Sequence, residues 1–278
     1  PITSPFSASG GPGSTFKALT AVIGVDSGKI DPHENFGYEG LSWQEDAGWG
    51  DYHVTTLTDY GDQATLENAL VYSDNIYFAK AALKIGADTL IDRFKAMGFG
   101  EEIPFELSLT SSTYDDDDNI DSDIQLADTG YGQGQLLVNP VHMLSMYSLF
   151  VNDGSMVQPT LLYQDGYTGK MWKENVFSAD AAETVKNDLI QVIENPSGTG
   201  ASARIEGVSL LGKTGTAEIK DSQSDTDGIE RGWFICETAD ATDTPIAVVG
   251  MVEDVKDKGG SSYVTEKVRN ITADYLGK

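Results

Sequence analysis

A change of pattern near residue 206 constrains the fold of this chain more than any other feature. Upstream, apolar residues recur at helical spacing in six segments, at residues 16–23, 64–71, 76–85, 89–97, 139–154 and 179–194. Downstream, the stretches "VSLLGKTGTAEIKD", "RGWFICET" and "PIAVVGMVED" predict three strands, and residues 262–276 predict a closing helix. The sequence therefore predicts an α+β fold: an antiparallel sheet flanked by helices (residues 206–278) and a mostly helical subdomain (residues 25–205).

The charge balance restricts the partners of the protein. The 278 residues include 18 Lys and Arg against 44 Asp and Glu, which gives a formal net charge of -26. Such a chain repels nucleic acid and anionic lipid, so a few local lysines would have to attract any anionic substrate. We expect no nucleic-acid partner, and a membrane contact only through an anchor upstream of Pro1.

Neither the cysteine nor the histidines point to a metal or a cofactor. Cys236 is the single cysteine, so no disulfide can form within the chain. The three histidines, His33, His53 and His142, do not have the HExxH spacing of zinc hydrolases. We therefore expect no metal centre and no cofactor.

An acidic stretch imitates part of a calcium loop. Asp117, Asn119 and Asp121 have the spacing of the first calcium ligands. However, Ser122 stands where such a loop needs a glycine, and Asp128 stands where it needs a glutamate. A solvated loop is the favoured interpretation, and calcium binding is kept as a minor alternative.

Two glycine-rich stretches imitate nucleotide-binding motifs. Gly207, Gly212 and the residues "KT" that follow have P-loop spacing, but the intervening "VSLL" reads as a strand interior and no helix pattern follows Thr214. In "GYGQG", Gln135 occupies the position that the last glycine of a dinucleotide fingerprint requires. Nucleotide binding is a second minor alternative.

Three short motifs carry the expected chemistry. Ser14 and Lys17 form an S-x-x-K pattern at the start of the first helix, the triplet SDN occupies residues 73–75 between two predicted helices, and the triplet KTG occupies residues 213–215 on the first late strand. A helix cap and a surface lysine would explain the first pair alone. All three motifs in this order are the signature of class A β-lactamases and penicillin-binding proteins.

The residue types fit acyl transfer, which needs a nucleophile, a base and an oxyanion hole. Ser14 supplies the nucleophile, and one helical turn places Lys17 beside it as the base. Burial and a neighbouring positive charge, for example that of Lys213, would have to lower the pKa of Lys17 from about 10.4. Ser73 can relay a proton toward the leaving group, and Asn75 can bind Lys17 and a substrate amide.

On the predicted strand, Lys213 and Thr214 are suited to binding a carboxylate. Gly215 has no side chain, so a substrate backbone can pair along the strand edge. The nearby Lys220 lies outside the triplet, and we expect it to contribute less to acylation than Lys213 does.

The sequences around these motifs resemble the transpeptidase domain of class B penicillin-binding proteins. The resemblance rests on "PGSTFK", "YSDNIYFAKAALKIG", "DTGYGQGQLLVNPVHM" and "LLGKTGTAEI...RGWFI", and covers nearly all of residues 1–278. The stretches "LSWQEDAGWGDYHVT" and "VKDKGGSSY" look closest to the low-affinity, methicillin-resistance type of Gram-positive bacteria. The resemblance implies a penicillin-binding-protein or serine β-lactamase-like fold. It also implies a membrane-anchored enzyme on the extracytoplasmic face of the cell membrane, which cross-links peptidoglycan stem peptides ending in D-Ala-D-Ala and is acylated by β-lactam antibiotics.

The resemblance also assigns roles to residues. It implies Ser14 as nucleophile, Lys17 as its base, and the catalytic residues Ser73, Asn75 and Lys213. The remaining assignments are the substrate-binding residues Thr214, Gly215 and Thr216, and an oxyanion hole made by the backbone N–H groups of Ser14 and Thr216.

One departure from the family pattern and three alternatives remain. Only thirteen residues precede Ser14, so the N-terminal strands of the family sheet are expected to be missing at one edge. A D,D-carboxypeptidase, a serine β-lactamase and an extracellular penicillin sensor would share the same motifs. The candidate deacylating carboxylates Glu101, Glu102 and Glu106 lack the downstream asparagine found in class A β-lactamases, which predicts a long-lived acyl-enzyme.

Overall fold

The computed structural model describes residues 7, 9–61, 63–162, 165–219 and 228–278, with only the backbone described at 218 and 219. Lys220 lies outside these ranges. The helices in the described ranges are α1 (Lys17–Asp26), α2 (Leu66–Val71), α3 (Asn75–Ile85), α4 (Ala87–Ala96), α5 (Asp123–Gly130), α6 (Pro140–Tyr147), α7 (Ala179–Glu194) and α8 (Ser261–Leu276). The strands are β1 (Ser42–Trp43), β2 (Val54–Thr55), β3 (Met156–Val157), β4 (Met171–Lys173), β5 (Leu210–Ile219), β6 (Ile229–Thr238) and β7 (Ala247–Val252).

Side-chain caps explain where several helices begin. Asn139 accepts a hydrogen bond from Val141 N at 2.9 Å, and Pro140 occupies the first helical position of α6, where its missing N–H costs nothing. Ser178 caps α7 in the same way by accepting from Ala181 N. Each cap satisfies a backbone donor that the helix itself leaves unpaired.

The main sheet is antiparallel, with the order β5-β6-β7. Along its strands, side chains alternate between the two faces. Leu211 and Ile235 belong to the large core that the sheet shares with most of the helices. Leu210 and Phe234 lie on the other face, in a smaller core that includes residues of α8. The sheet is therefore covered by helices on both faces.

Helix α8 approaches the sheet closely because two glycines lie beneath it. A Cβ at Gly250 would lie 2.6 Å from Val268 Cγ2, and one at Gly232 would lie 3.0 Å from Val264 Cγ2. Both distances are shorter than ordinary packing contacts, so a side chain at either position would displace the helix.

The predicted helices and the three late strands occur in the predicted order. No strand was predicted for the two short antiparallel pairs β1–β2 and β3–β4, and two helices also differ from the prediction. The helix predicted over residues 139–154 ends at Tyr147 and continues as a 3₁₀ turn, Ser148–Val151, before Gly154 turns the chain at φ 82°. Helix α5 was not predicted, because its short sequence "DIQLADTG" carries few apolar residues. No helix in the described part of the chain is long and apolar enough to cross a bilayer.

Candidate functional site

Ser14 lies in a 3₁₀ turn, Gly13–Phe16, that leads directly into α1 and is called here the Ser14 turn. Gly13 has φ 54°, and a Cβ there would lie 2.4 Å from the carbonyl oxygen of Thr216 on β5. Only glycine combines this conformation with so close an approach. The glycine before the nucleophile therefore lets the Ser14 turn press against the strand that carries the KTG triplet.

Lys17 is completely buried and faces Ser14. Its Nζ lies 2.9 Å from Ser14 Oγ, 2.7 Å from the carbonyl oxygen of Ser73 and 2.6 Å from Asn75 Oδ1. Burial, and after it the charge of Lys213, hold the pKa of Lys17 well below its usual value, although Asp74 acts in the opposite direction. The amine that the sequence predicted as base is thus in reach of the hydroxyl it would deprotonate.

The SDN triplet forms the bend between α2 and α3. Ser73 has φ 57°, in the left-handed region that residues other than glycine seldom adopt. Asp74 caps α3 by accepting from Ile76 N at 2.8 Å, and it also accepts from the Tyr60 hydroxyl at 2.7 Å. Asn75 is fixed by a bond from Nδ2 to the carbonyl oxygen of Thr55 at 2.8 Å. This bend presents Ser73 and Asn75 to Lys17.

Lys213 completes a chain of polar groups across the cleft. Its Nζ donates to Ser73 Oγ at 2.9 Å, and Ser73 Oγ lies 3.1 Å from Lys17 Nζ. Burial lowers the pKa of Lys213 to about 7. The predicted nucleophile, base, relay and second lysine therefore lie within hydrogen-bond distance in the order Ser14, Lys17, Ser73, Lys213.

Ser14 and Ser73 border a cleft of ≈ 900 Å³, whose lining also includes Asn75, Thr214, Gly215 and Thr216. Thr214 Oγ1 donates to Thr199 Oγ1 at 2.9 Å, so Thr199 joins the site although nothing in the sequence indicated it. A Cβ at Gly215 would lie 2.8 Å from the carbonyl oxygen of Pro12. The structure thus indicates a second reason for a glycine at position 215, beside substrate pairing: the missing side chain makes room for the Ser14 turn.

A second polar group on the cleft wall was also missed. Tyr52, Asp128 and Tyr131 all line the cleft, and both tyrosine hydroxyls donate to Asp128 Oδ1. Asp128 and Tyr131 lie one helical turn apart around the end of α5, a spacing that could have suggested the pair. Tyr52 is 76 residues from Asp128, and no local pattern connects them.

The structure also shows where the residues lie that suggested nucleotide binding or deacylation by a glutamate. Strand β5 runs on through Thr214 to Ile219, where a P-loop would need a helix. Glu101 pairs with Lys173 at 2.6 Å, and Glu106 accepts from Leu161 N at 2.8 Å. Neither these two carboxylates nor Glu102 is among the described residues that line the cleft.

Two further residues singled out in the sequence are buried in the structure. His142 is held between Ser112 Oγ at 2.8 Å and the carbonyl oxygen of Met97 at 2.9 Å, and burial lowers its pKa to about 4. Cys236 is buried on β6 with Sγ 3.6 Å from Thr272 Oγ1. Both side chains are part of the packed interior.

Comparison with known proteins identifies the family of this chain. The family model described as penicillin binding protein transpeptidase domain matches residues 4–273. Penicillin-binding protein 3 of Bacillus subtilis (strain 168) is 41% identical over 269 residues, which are 97% of this chain and 40% of that protein. The probable peptidoglycan D,D-transpeptidase PbpC of Pseudomonas aeruginosa is 27% identical over 244 residues, which are 87% of this chain and 41% of that protein. The chain thus spans about two fifths of each relative.

The fold has counterparts among solved structures. The apo structure of the TP domain from Burkholderia pseudomallei penicillin-binding protein 3 matches with a TM-score of 0.82 at 20% identity, covering 100% of this chain and 80% of that one. The α+β fold of the penicillin-binding-protein type that the sequence predicted is confirmed.

Proposed function

Because the chain belongs to the family of penicillin-binding protein transpeptidase domains, we propose that it is a serine D,D-transpeptidase that cross-links peptidoglycan stem peptides ending in D-Ala-D-Ala. The observation that carries this proposal is the distance of 2.9 Å between Lys17 Nζ and Ser14 Oγ, with Lys17 buried and its pKa lowered. A neutral amine in this place is a base for the serine hydroxyl.

Acylation then follows from the polar chain. Ser14 Oγ attacks the carbonyl carbon of the penultimate D-Ala while its proton passes to Lys17 Nζ. The C–N bond of the peptide breaks, and the leaving D-Ala amine takes a proton delivered through Ser73 Oγ, which lies between the two lysines. Backbone N–H groups of Ser14 and Thr216 would stabilise the oxyanion, since the Ser14 turn packs against β5 at that point.

The KTG strand suits the anionic end of the donor peptide. Lys213, Thr214 and Thr216 would bind the terminal carboxylate, with Gly215 leaving room between them. A β-lactam carries a carboxylate and an acyl group in a similar relation, so it would acylate Ser14 by the same route. In a chain with net charge -26, these few donors have to concentrate positive potential at the cleft.

The proposal extends to cellular place and type. A cross-linking enzyme must meet its substrate outside the cytoplasm, so we place the domain at the extracytoplasmic face of the bacterial membrane, held by an anchor outside this sequence. The stretches "LSWQEDAGWGDYHVT" and "VKDKGGSSY" support a low-affinity, methicillin-resistance type of enzyme.

Labelling with a fluorescent penicillin tests the nucleophile. We expect one adduct, mapped by mass spectrometry to Ser14, and complete loss of the label in Ser14→Ala with the fold retained by circular dichroism. Thr15→Ser, one position along the same turn, is the matched control and should still be labelled. A folded Ser14→Ala protein that labels normally would refute the assignment.

The lifetime of the adduct separates the transpeptidase from the alternatives. Hydrolysis needs a positioned base for water, which typically contributes 10²–10⁴-fold, and the glutamates considered for that role do not line the cleft. After removal of free drug, the penicilloyl adduct should persist for many minutes. A half-life of seconds would favour a β-lactamase. A persistent adduct with no turnover of an acyl-D-alanyl thioester would favour a sensor.

A further inference from the structure

Asp128 is a carboxylate in the cleft that acylation does not use and that two tyrosines hold in place. Asp128 Oδ1 accepts hydrogen bonds from the hydroxyls of both Tyr52 and Tyr131, and the two hydroxyl oxygens lie 3.3 Å apart. In the described part of the chain, no group bonds to Asp128 Oδ2. Two tyrosines therefore fix the carboxyl group through one oxygen and leave the other available to a ligand.

This carboxylate is built into the nucleophile's surroundings rather than placed on the surface. The segment after α5 contacts the Ser14 turn, because Gly13 N donates to the carbonyl oxygen of Gly132 at 3.1 Å. Tyr131 is only 8% exposed. Burial raises the pKa of Asp128, while the hydrogen bonds from the tyrosines lower it. Among the described residues, two hydroxyls donate to this partly buried carboxylate and no cationic side chain pairs with it.

The two walls of the cleft differ in charge. The wall formed by β5 has Lys213 behind it and suits the anionic end of the donor peptide. The wall around Asp128 presents that carboxylate, and no lysine or arginine is among the described residues that line the cleft. In transpeptidation, the second substrate is an amine, which arrives as an ammonium ion. A carboxylate that no described cation pairs with is the chemical complement of that group.

We propose that Asp128, held by Tyr52 and Tyr131, binds the side-chain ammonium group of the acyl acceptor in the cleft. This inference rests on the proposed transpeptidase function. After the ammonium loses a proton to water at the open cleft, its nitrogen forms a C–N bond with the acyl carbon and the ester bond to Ser14 Oγ breaks. The second proton of the amine returns to Ser14 Oγ through Lys17, so the enzyme regains its starting state.

Asp128→Asn tests the proposal, since it removes the charge but keeps an oxygen for the tyrosines. The acyl group would come from an acyl-D-alanyl thioester, and Nα-acetyl-lysine would be the acceptor. A hydrogen bond to a charged group is worth enough that we expect the apparent KM for the amine to rise at least about tenfold. The rate of penicillin acylation should change less than about twofold. Asp51→Asn makes the same charge change in the same cleft and should leave the KM near that of the parent.

A measurement on the unmutated protein covers the case in which Asp128→Asn does not fold. Nα-acetyl-Nε-dimethyl-lysine keeps a side-chain charge and one N–H but cannot form a stable amide, so it should compete with Nα-acetyl-lysine, whereas Nα-acetyl-norleucine, which has no amine, should not. Equal inhibition by both compounds, or equal KM values for Asp128→Asn and the parent, would overturn the acceptor site. An acylated parent protein that transfers nothing to the amine would overturn it too. Failure of Ser14 to be acylated would instead refute the proposed function.

Discussion

Two buried regions on the same sheet are built in opposite ways. The cleft centre is defined as Ser14, Lys17, Ser73, Asn75 and Lys213. It contains two completely buried lysines, and both are hydrogen-bonded to Ser73 Oγ. The α8 layer, defined as Leu210, Phe234, Cys236, Val264 and Val268, contains almost only apolar atoms. The strands β5 and β6 contribute to the packing around both regions.

The difference shows that the α8 layer stabilises the fold, whereas the cleft centre costs stability. Burying an amine lowers its pKa because the charged form loses its hydration. Ser73 adds a left-handed backbone conformation, which costs roughly 1–2 kcal/mol. The α8 layer gains roughly 25 cal/mol for each Å² of apolar surface that it removes from water. We infer that the apolar layer offsets the cost of a pre-arranged catalytic centre.

The largest expected difference between an effect on activity and an effect on stability comes from Lys17→Met. This change keeps the volume but removes the base, so acylation by penicillin should slow by about 10²–10⁴-fold. The free energy of unfolding should change by no more than about 1 kcal/mol, because loss of hydrogen bonds is balanced by relief from burying an amine. Stopped-flow acylation and urea denaturation measure the two quantities.

Lys80→Met is the matched control. Lys80 Nζ forms an ion pair with Glu39 at a distance of 2.6 Å, and this pair is not part of the cleft centre. It should acylate at the parent rate. If Lys17→Met instead lost several kcal/mol of stability, Lys17 would be a structural residue and the contrast between the two regions would fail.

A smaller loss of acylation is expected from Gly215→Ala. The new Cβ would lie 2.8 Å from Pro12 O and 3.0 Å from Thr15 N, both backbone atoms, so the Ser14 turn has to move. A displacement of that size at a nucleophile costs on the order of 10²-fold in rate. Gly11→Ala is the control, since its Cβ would meet Ala217 Cβ at an ordinary 3.5 Å. Equal acylation rates in the two variants would show that the turn is free to adjust.

Much of the cleft centre could be predicted from sequence because its motifs are local. S-x-x-K spacing places Lys17 one turn from Ser14 in any helix, and SDN lies where two helical patterns meet. The strands and α8 followed from apolar alternation and helical spacing. The division into subdomains at residues 25–205 and 206–278 stays a prediction.

The rest depends on contacts between distant segments. Nothing in the sequence near Thr199 announces its bond to Thr214, and Tyr52 meets Asp128 only in the folded chain. The left-handed backbone at Ser73 was equally hidden, because serine rarely adopts it. Sequence reasoning identified the chemistry of the cleft but not the shape and charge of its second wall.

A substitution in the α8 layer should have the opposite effect to Lys17→Met: it should lower stability and leave acylation unchanged. Val268→Ala removes two methyl groups, of which Cγ2 packs on Gly250, and it should lower the free energy of unfolding by about 2 kcal/mol. The acylation rate per folded molecule should stay at the parent value. The exposed Ile271→Ala on the same helix is the control and should cost less than about 0.5 kcal/mol. A slowed acylation in Val268→Ala would mean that the two regions are mechanically coupled.

The most gradual expected effect, spread over several pH units, is a pH dependence of stability that comes from Lys213. Its pKa of about 7 in the folded protein lies below the value near 10.4 of an unfolded chain, so between these values the unfolded state binds more protons. The contribution of Lys213 to unfolding free energy therefore rises with pH, by about 1 kcal/mol per pH unit from 7 to 9.5. Burial raises the pKa of Glu237, so the contribution of Glu237 to the free energy of unfolding falls as the pH rises. Lys17, whose pKa is lowered, adds a further pH dependence of the same sign as that of Lys213. The observable is consequently the difference between the parent and Lys213→Met, measured by urea denaturation at each pH. The parent should gain stability relative to the variant as pH rises, and parallel curves would show that Lys213 remains charged in the folded cleft.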